Sequence, residues 1–296
     1  MIELFDTHAH LCREFFDTEN ETRLKTEIFE QFPNPVQIGA DFPQSQQFRM
    51  AGILNVSVSL TSSYEVIQLA QKYKQLYPAV GIHPNCVNDL TDHAWQQIVK
   101  LSKVQEVVAI GETGLDRYRD TVPFEIQRTF FERHLALAQE RQLPVIIHSR
   151  DCDDDMLVIL GDIAKVSPVF GIIHSFSSMP SVAEMYLDMG LYISFTGAVT
   201  YTNKKFRELR EAAKIVPDDR LLIETDSPFL TPHPYRGKLD DNVPLMTAYV
   251  AKTLAEIRGT SIEHIAAVTT ANAERIFRKN NGYPYRYWSR RGYGLE

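Results

Sequence analysis

The residues best suited to chemistry in this chain are histidines and carboxylates that each follow a short apolar run. His8 and His10 close the first such run, and Glu112 follows Val107–Ile110. His148 and His174 each come directly after isoleucines, and Asp226 follows Leu221–Ile223 by three residues. In an extended segment, residues i and i+2 point to one face, so His8 and His10 can reach one ion together. A carboxylate such as Glu112 can offer one oxygen to each of two ions. Nitrogen and oxygen donors in this number suit zinc, manganese, iron or cobalt better than calcium. Two ions about 3.5–4 Å apart clamp an attacking hydroxide and the oxygens of a phosphoryl or acyl centre. Each residue alone also has an ordinary reading. Glu112 could sit at a helix N-terminus, and His148 or His174 could be a satisfied core histidine. The weight lies in the set.

Such a set needs a frame that brings distant segments to one place. Eight short apolar runs recur: Ile2–Phe5, Ile53–Leu60, Ala79–Ile82, Val107–Ile110, Val145–Ile147, Val169–Ile173, Leu191–Phe195 and Leu221–Ile223. Most are rich in Val and Ile, as parallel strands buried on both faces are. Helical patterns lie between them. Phe124–Arg141 is the clearest, with a stripe through Phe130, Phe131, His134, Leu135, Leu137 and Ala138, and a stop at Leu143-Pro144. Eight alternations predict an α/β fold, a (β/α)8 TIM-type barrel. Barrel active sites form where the strands end, and five of the nine histidines fall there: His8, His10, His83, His148 and His174.

One domain is expected over residues 1–279, with a tail at 280–296. The polar, proline-containing stretch Cys12–Met50 reads as an elaborated first βα loop, with a helix at Glu21–Phe32. Three cysteines without CxxC spacing argue against a disulfide framework or a thiolate zinc site, and point to a reducing compartment. The expected location is cytoplasmic, because the start of the chain lacks a signal pattern and no apolar run is long enough to span a bilayer. A net charge of −7 excludes a general nucleic-acid coat but not local phosphodiester binding.

The sequence resembles the TatD family of metal-dependent deoxyribonucleases, within the amidohydrolase-like barrels. The resemblance rests on FDTHAHL at 5–11, VGIHP at 80–84, AIGETGLDRYRD at 109–120, LPVIIHSRD at 143–151, GIIHSFSS at 171–178, LLIETDSPFLTPHPYRGK at 221–238 and TTANAERIF at 269–277. It implies that His8, His10, Glu112 and Asp226 hold one divalent ion and that Glu112, His148 and His174 hold the other, the metals being Mg, Mn or Zn. It also implies that Asp226 takes a proton from the attacking water. The implied activity is hydrolysis of DNA phosphodiesters, 3′ to 5′ on single strands, with DNA as the partner and no obligate protein partner. His83, Arg150 and Arg236 are the candidates for substrate contact. The alternative for Arg150 is an ion pair with Asp151, Asp153 or Asp154, and Lys204, Lys205 and Arg207 read more simply as a solvated helix face. Glu224, two residues before Asp226, can face the same interior and orient a ligand histidine. The competing activity on the same site is an esterase or deacylase, such as a D-aminoacyl-tRNA deacylase. In some barrel relatives a carboxylated lysine bridges the metals, but no Lys stands at a strand end here. The 239–244 stretch, Leu-Asp-Asp-Asn-Val-Pro, departs from the basic pattern usual for the family.

Overall fold

The fold is taken from a computed structural model that describes residues 1–13, 15, 38, 41–119, 121–239 and 241–277. Eight parallel strands form one sheet in sequence order. They are β1 (Ile2–Ala9), β2 (Phe48–Val56), β3 (Leu76–Val80), β4 (Ala109–Asp116), β5 (Val145–Arg150), β6 (Gly171–Ile173), β7 (Tyr192–Phe195) and β8 (Leu221–Ile223). Helices return the chain between strands: α1 (Leu60–Lys72), α2 (Asp92–Leu101), α3 (Phe124–Arg141), α4 (Asp153–Ala164), α5 (Pro180–Asp188) and α6 (Arg207–Ile215). After β8 come α7 (Thr247–Arg258) and α8 (Ile262–Phe277). The sheet closes on itself at the site. The Asp226 N–H donates to the His8 carbonyl at 2.9 Å, and the His10 N–H donates to the Ser227 carbonyl at 2.8 Å.

The strands are buried on both faces, as their composition requires. One apolar cluster fills the space between sheet and helices. A second joins alternate strand residues, among them Phe5, Leu54, Ile146, Ile172, Tyr192 and Leu222. Phe277, at the end of α8, stacks on Phe5 at 5.8 Å and belongs to this inner layer. Side chains alternate along a strand, so the residues two positions beyond Ile146, Ile172 and Leu222 share that interior. They are His148, His174 and Glu224. The site is thus the polar layer directly above an apolar plug.

Most strand boundaries differ from the sequence expectation by a few residues, and two of the differences bear on the site. The strand expected at Ile53–Leu60 runs from Phe48 to Val56, so Phe48–Met50 belongs to the barrel and not to the first loop. Leu60 instead opens α1. Ser59 caps it, accepting the Ser62 N–H, while the Ser62 side chain accepts the Ser59 N–H; this reciprocal cap ends the apolar run as a strand. The strand expected to stop at Ile110 continues through Glu112 to Asp116. Gly114 permits this, because its φ is 145° and a Cβ there would run into the His148 carbonyl. The expected helix at Glu21–Phe32 and the tail from residue 280 lie outside the described residues. Among the described residues, no helix is long and apolar enough to cross a membrane.

A buried histidine outside the site steadies one of its loops. His134, on α3, accepts the Ile82 N–H at Nε2 (3.1 Å), so its own proton sits on Nδ1 and is donated to the Phe130 carbonyl at 2.6 Å. Burial pushes its pKa down from 6.5 to about 4, so the folded protein keeps it neutral where the unfolded chain protonates it. The unfolded state therefore binds more protons between those values. Stability falls as pH drops from 6.5 toward 4, by about 3 kcal/mol from this group. His134→Leu leaves the Ile82 N–H unpaired and is expected to cost about 1–3 kcal/mol at pH 7.5. Urea unfolding should show that gap shrinking toward pH 4.5. A gap that stays constant with pH would show that His134 is not the titrating group.

Candidate metal centre

Glu112 stands at the centre of the site, 2% exposed, and its two oxygens face different partners. Oε2 lies 3.5 Å from His8 Nε2 and 3.5 Å from His10 Nε2. Oε1 lies 2.8 Å from His148 Nδ1 and 2.7 Å from His174 Nε2. Asp226 completes the first group, with Oδ1 at 3.4 Å from His10 Nε2 and 3.8 Å from His8 Nε2. The six residues expected as ligands are therefore gathered, although they come from β1, β4, β5 and the ends of β6 and β8.

The donors fit divalent ions in number and spacing. Four donors around an ion at about 2.0–2.1 Å stand about 3.4 Å apart in a tetrahedron, and neighbours about 2.9 Å apart in an octahedron. The His8 and His10 nitrogens lie 3.2 Å apart and stand 3.4 to 3.8 Å from the nearest oxygens of Glu112 and Asp226, and His8, His10 and Asp226 form one metal-compatible grouping. The second group, with His148 Nδ1 and His174 Nε2 at 3.3 Å, spans 2.7 to 3.3 Å. Nitrogens and carboxylate oxygens converging this closely inside a core match two adjacent coordination sites sharing Glu112.

The electrostatics agree. Burial alone raises a carboxyl pKa, yet the imidazoles of His174 and His83, with hydrogen bonds from His148 and His174, hold Glu112 well below the usual range. Asp226 is likewise lowered against its burial, chiefly by the hydrogen bond from His10. Burial lowers His8. His10, His148 and His174 are raised despite burial, by Asp226, by Asp116 and by Glu112 respectively as the leading partners. Asp226 has φ of 57°, in the left-handed region that non-glycine residues seldom adopt. Its backbone is held there by the bonds that close the barrel, a pattern found where side-chain aim matters more than local comfort.

The cluster is open to solvent along one edge. Side-chain exposure is 15% for Asp226, 14% for His148 and 16% for His83, against 0 to 4% for His8, His10, Glu112 and His174. His83 joins the site, with Nε2 3.6 Å from Glu112 Oε1. Its Nδ1 accepts the Asn85 N–H at 3.1 Å, which leaves the ring proton on Nε2, facing the site. Burial lowers its pKa to about 3, so it is a neutral donor. Arg150 is exposed beside His148, its guanidinium 3.8 Å over the Tyr118 ring instead of turned to Asp151, Asp153 or Asp154. Arg236 stacks on Tyr201 at 3.9 Å and is not in the cluster around Glu112. Lys205 lies over Phe206, and Arg207 pairs with Glu208, in keeping with a solvated helix face.

Sequence reading missed Asp116. Its Oδ2 accepts from His148 Nε2 (3.3 Å) and Asn85 Nδ2 (2.9 Å), while Oδ1 accepts the Tyr118 and Arg119 N–H groups. It thus orients His148 and anchors the rim loop at once. The signal was the period-2 series Glu112, Gly114, Asp116, hidden once the strand was taken to end at Ile110. His83, Asp116 and His148 also form a metal-like grouping. In it, His148 Nε2 already faces Asp116 Oδ2 at 3.3 Å.

Fold and site together define a metal-dependent hydrolase on a (β/α)8 barrel. The model of the family described as TatD related DNase matches residues 5–278. The metal-dependent hydrolase YabD of Bacillus subtilis is 41% identical over 277 residues, covering 94% of this chain and 100% of its own. A Citrobacter rodentium protein named 3′-5′ ssDNA/RNA exonuclease TatD is 34% identical, over 76% of this chain and 86% of its own. Among solved structures, the TatD homologue YjjV from Escherichia coli superimposes with a TM-score of 0.78 at 27% identity, covering 93% of this chain and 97% of that one. The chain belongs to the TatD family.

Proposed function

We propose that the protein is a deoxyribonuclease that removes nucleotides from the 3′ end of single-stranded DNA, using two divalent ions. The observation that carries this reading is the division of Glu112, one oxygen toward His8, His10 and Asp226 and the other toward His148 and His174. Ions bound there supply Lewis-acid polarisation of the phosphodiester and a lowered pKa for the attacking water. His8, His10, Glu112 and Asp226 would hold one, and Glu112, His148 and His174 would hold the other. Asp226, ionised and at the open edge, accepts the proton of the attacking water at its carboxylate. His83 holds a proton at Nε2 and donates it as a hydrogen bond to a phosphate oxygen. Arg150 and Arg236 contact flanking phosphates. The Tyr118 ring beside Arg150 supplies the combination of π-face and cation that single-strand grooves use. The name of the Citrobacter relative supports the nucleic-acid substrate.

The test is a 5′-labelled single strand incubated with the protein and Mg2+, Mn2+ or Zn2+. A ladder shortening from the 3′ end, abolished by chelator, is expected. Faster turnover of D-aminoacyl-tRNA or p-nitrophenyl esters than of DNA would replace the nuclease by a deacylase on the same site.

A further inference from the structure

His8, His10, His148 and His174 each present one nitrogen to Glu112 or Asp226, and to serve as a ligand each would leave that nitrogen bare and carry its proton on the other. Two of those protons have visible acceptors. His10 Nδ1 lies 2.9 Å from the Val56 carbonyl, and His148 Nε2 lies 3.3 Å from Asp116 Oδ2. The other two are His8 Nδ1 and His174 Nδ1. Both are fully buried and without a hydrogen-bond partner among the described residues. A buried N–H left unpaired is unfavourable, so an acceptor close to both is informative.

Glu224 is that acceptor. It is fully buried, two residues above Leu222 on the inner face. Its Oε1 accepts the Ser175 N–H at 2.6 Å, and its Oε2 accepts from Thr7 Oγ1 at 3.3 Å. Oε1 is also 3.4 Å from His174 Nδ1. The rings of His174 and His8 stack at 3.9 Å with 15° between their planes. One nitrogen of each ring and one oxygen of Glu224 all lie within 4.8 Å of one another. The backbone bonds from Ser175 and the hydroxyl of Thr7 fix the carboxylate under the stacked pair.

We propose that Glu224 is the common outer partner of the two ion sites: it takes the Nδ1–H of His174 directly and that of His8 at the reach of one water, and so holds one ligand of each ion with Nε2 bare. This rests on the ligand assignment given above for His8 and His174. Glu224 touches no reacting atom; it is a positioning residue. Its distinctive consequence is coupling, because a single carboxylate supports ligands on both sides of the Glu112 bridge. Asp116, by contrast, supports His148 alone among the ligands.

The test is Mn2+ or Zn2+ titration of metal-free protein by competition with a chelating dye, with no substrate present. Wild type is expected to bind two ions. In Glu224→Gln, both dissociation constants should rise about 10–100-fold. In Asp116→Asn, only one should rise. In the Zn2+-loaded protein, nitrogen-15 NMR should place protons on Nδ1 of His8 and His174, with both resonances moved by Glu224→Gln. The melting temperature of the metal-free variant should stay near that of wild type, while the increment on loading shrinks. If Glu224→Gln does not fold, Glu224→Asp, which keeps the charge but is one methylene shorter, should show the same paired weakening. Constants within twofold of wild type, or weakening of one ion only, overturn the proposal. A wild-type protein that binds fewer than two ions instead overturns the ligand assignment beneath it.

Discussion

Glu112→Gln should release both ions and lower kcat/KM on single-stranded DNA by at least about 10³-fold, or about 4 kcal/mol of transition-state stabilisation. The reasoning starts from the side chain's two ends. Each carboxylate oxygen faces a separate nitrogen group, at 3.5 Å on one side and 2.7 to 2.8 Å on the other. A glutamine of the same shape has one acceptor and one donor. Whichever way it turns, an NH2 group confronts the nitrogens of one group, and the charge that balances two cations is gone. The metal-free protein offers a second reading of the same change. His174 is raised well above its ordinary pKa against burial, with Glu112 the largest raising influence, and His148 is raised partly by it. Removing the carboxylate should lower both, so the imidazoles lose their protons at lower pH. Proton NMR of the metal-free variant follows this, and metal analysis after dialysis follows the ions. Two ions retained at wild-type affinity would refute the bridging role.

How far the sequence foretold this site depends on what each residue does. His8, His10, Glu112, His148, His174 and Asp226 were legible because a barrel converts the ends of successive strands into one cluster. Apolar runs of Val and Ile mark those ends without any tertiary information. The helix at Phe124–Arg141 was legible to the residue, its last turn closed by Gln142 in the left-handed conformation. Boundaries were poorer where polar residues continue a strand. Glu112-Thr113-Gly114 reads as a loop by composition, yet it pairs with β5, Gly114 opposite His148. That one misplacement concealed Asp116. Arg236 shows the opposite limit. Its place in the 235–238 stretch marked it as a phosphate contact, and that its guanidinium is presented on the Tyr201 ring is tertiary information that local sequence does not carry. Glu224 was suspected from its spacing to Asp226; that it serves two stacked histidines depends on β1, β6 and β8 meeting in space.

Asp226→Asn should leave the protein folded and largely loaded, yet reduce kcat by about 10² to 10⁴-fold, or about 3–5 kcal/mol, with KM little changed. Asparagine is the right replacement because the position has φ of 57°, which Asn tolerates about as well as Asp and alanine does not. The bonds that close the barrel use the Asp226 backbone N–H and survive the change. Three of the four donors of the first group remain, His8, His10 and Glu112, so the first ion is weakened and the second is not touched. What disappears is the ability to take a proton. The carboxyl of Asp226 lies below its ordinary pKa, with the His10 hydrogen bond the leading cause that lowers it, so at neutral pH it is an anion at the open edge of the site. The amide is neutral there and accepts no proton in the same range. A single-turnover assay at saturating Mn2+ separates the two effects, since added metal restores occupancy but not the base. A variant that reaches the wild-type rate once both ions are bound would remove Asp226 from the proton transfer and leave it as a ligand only.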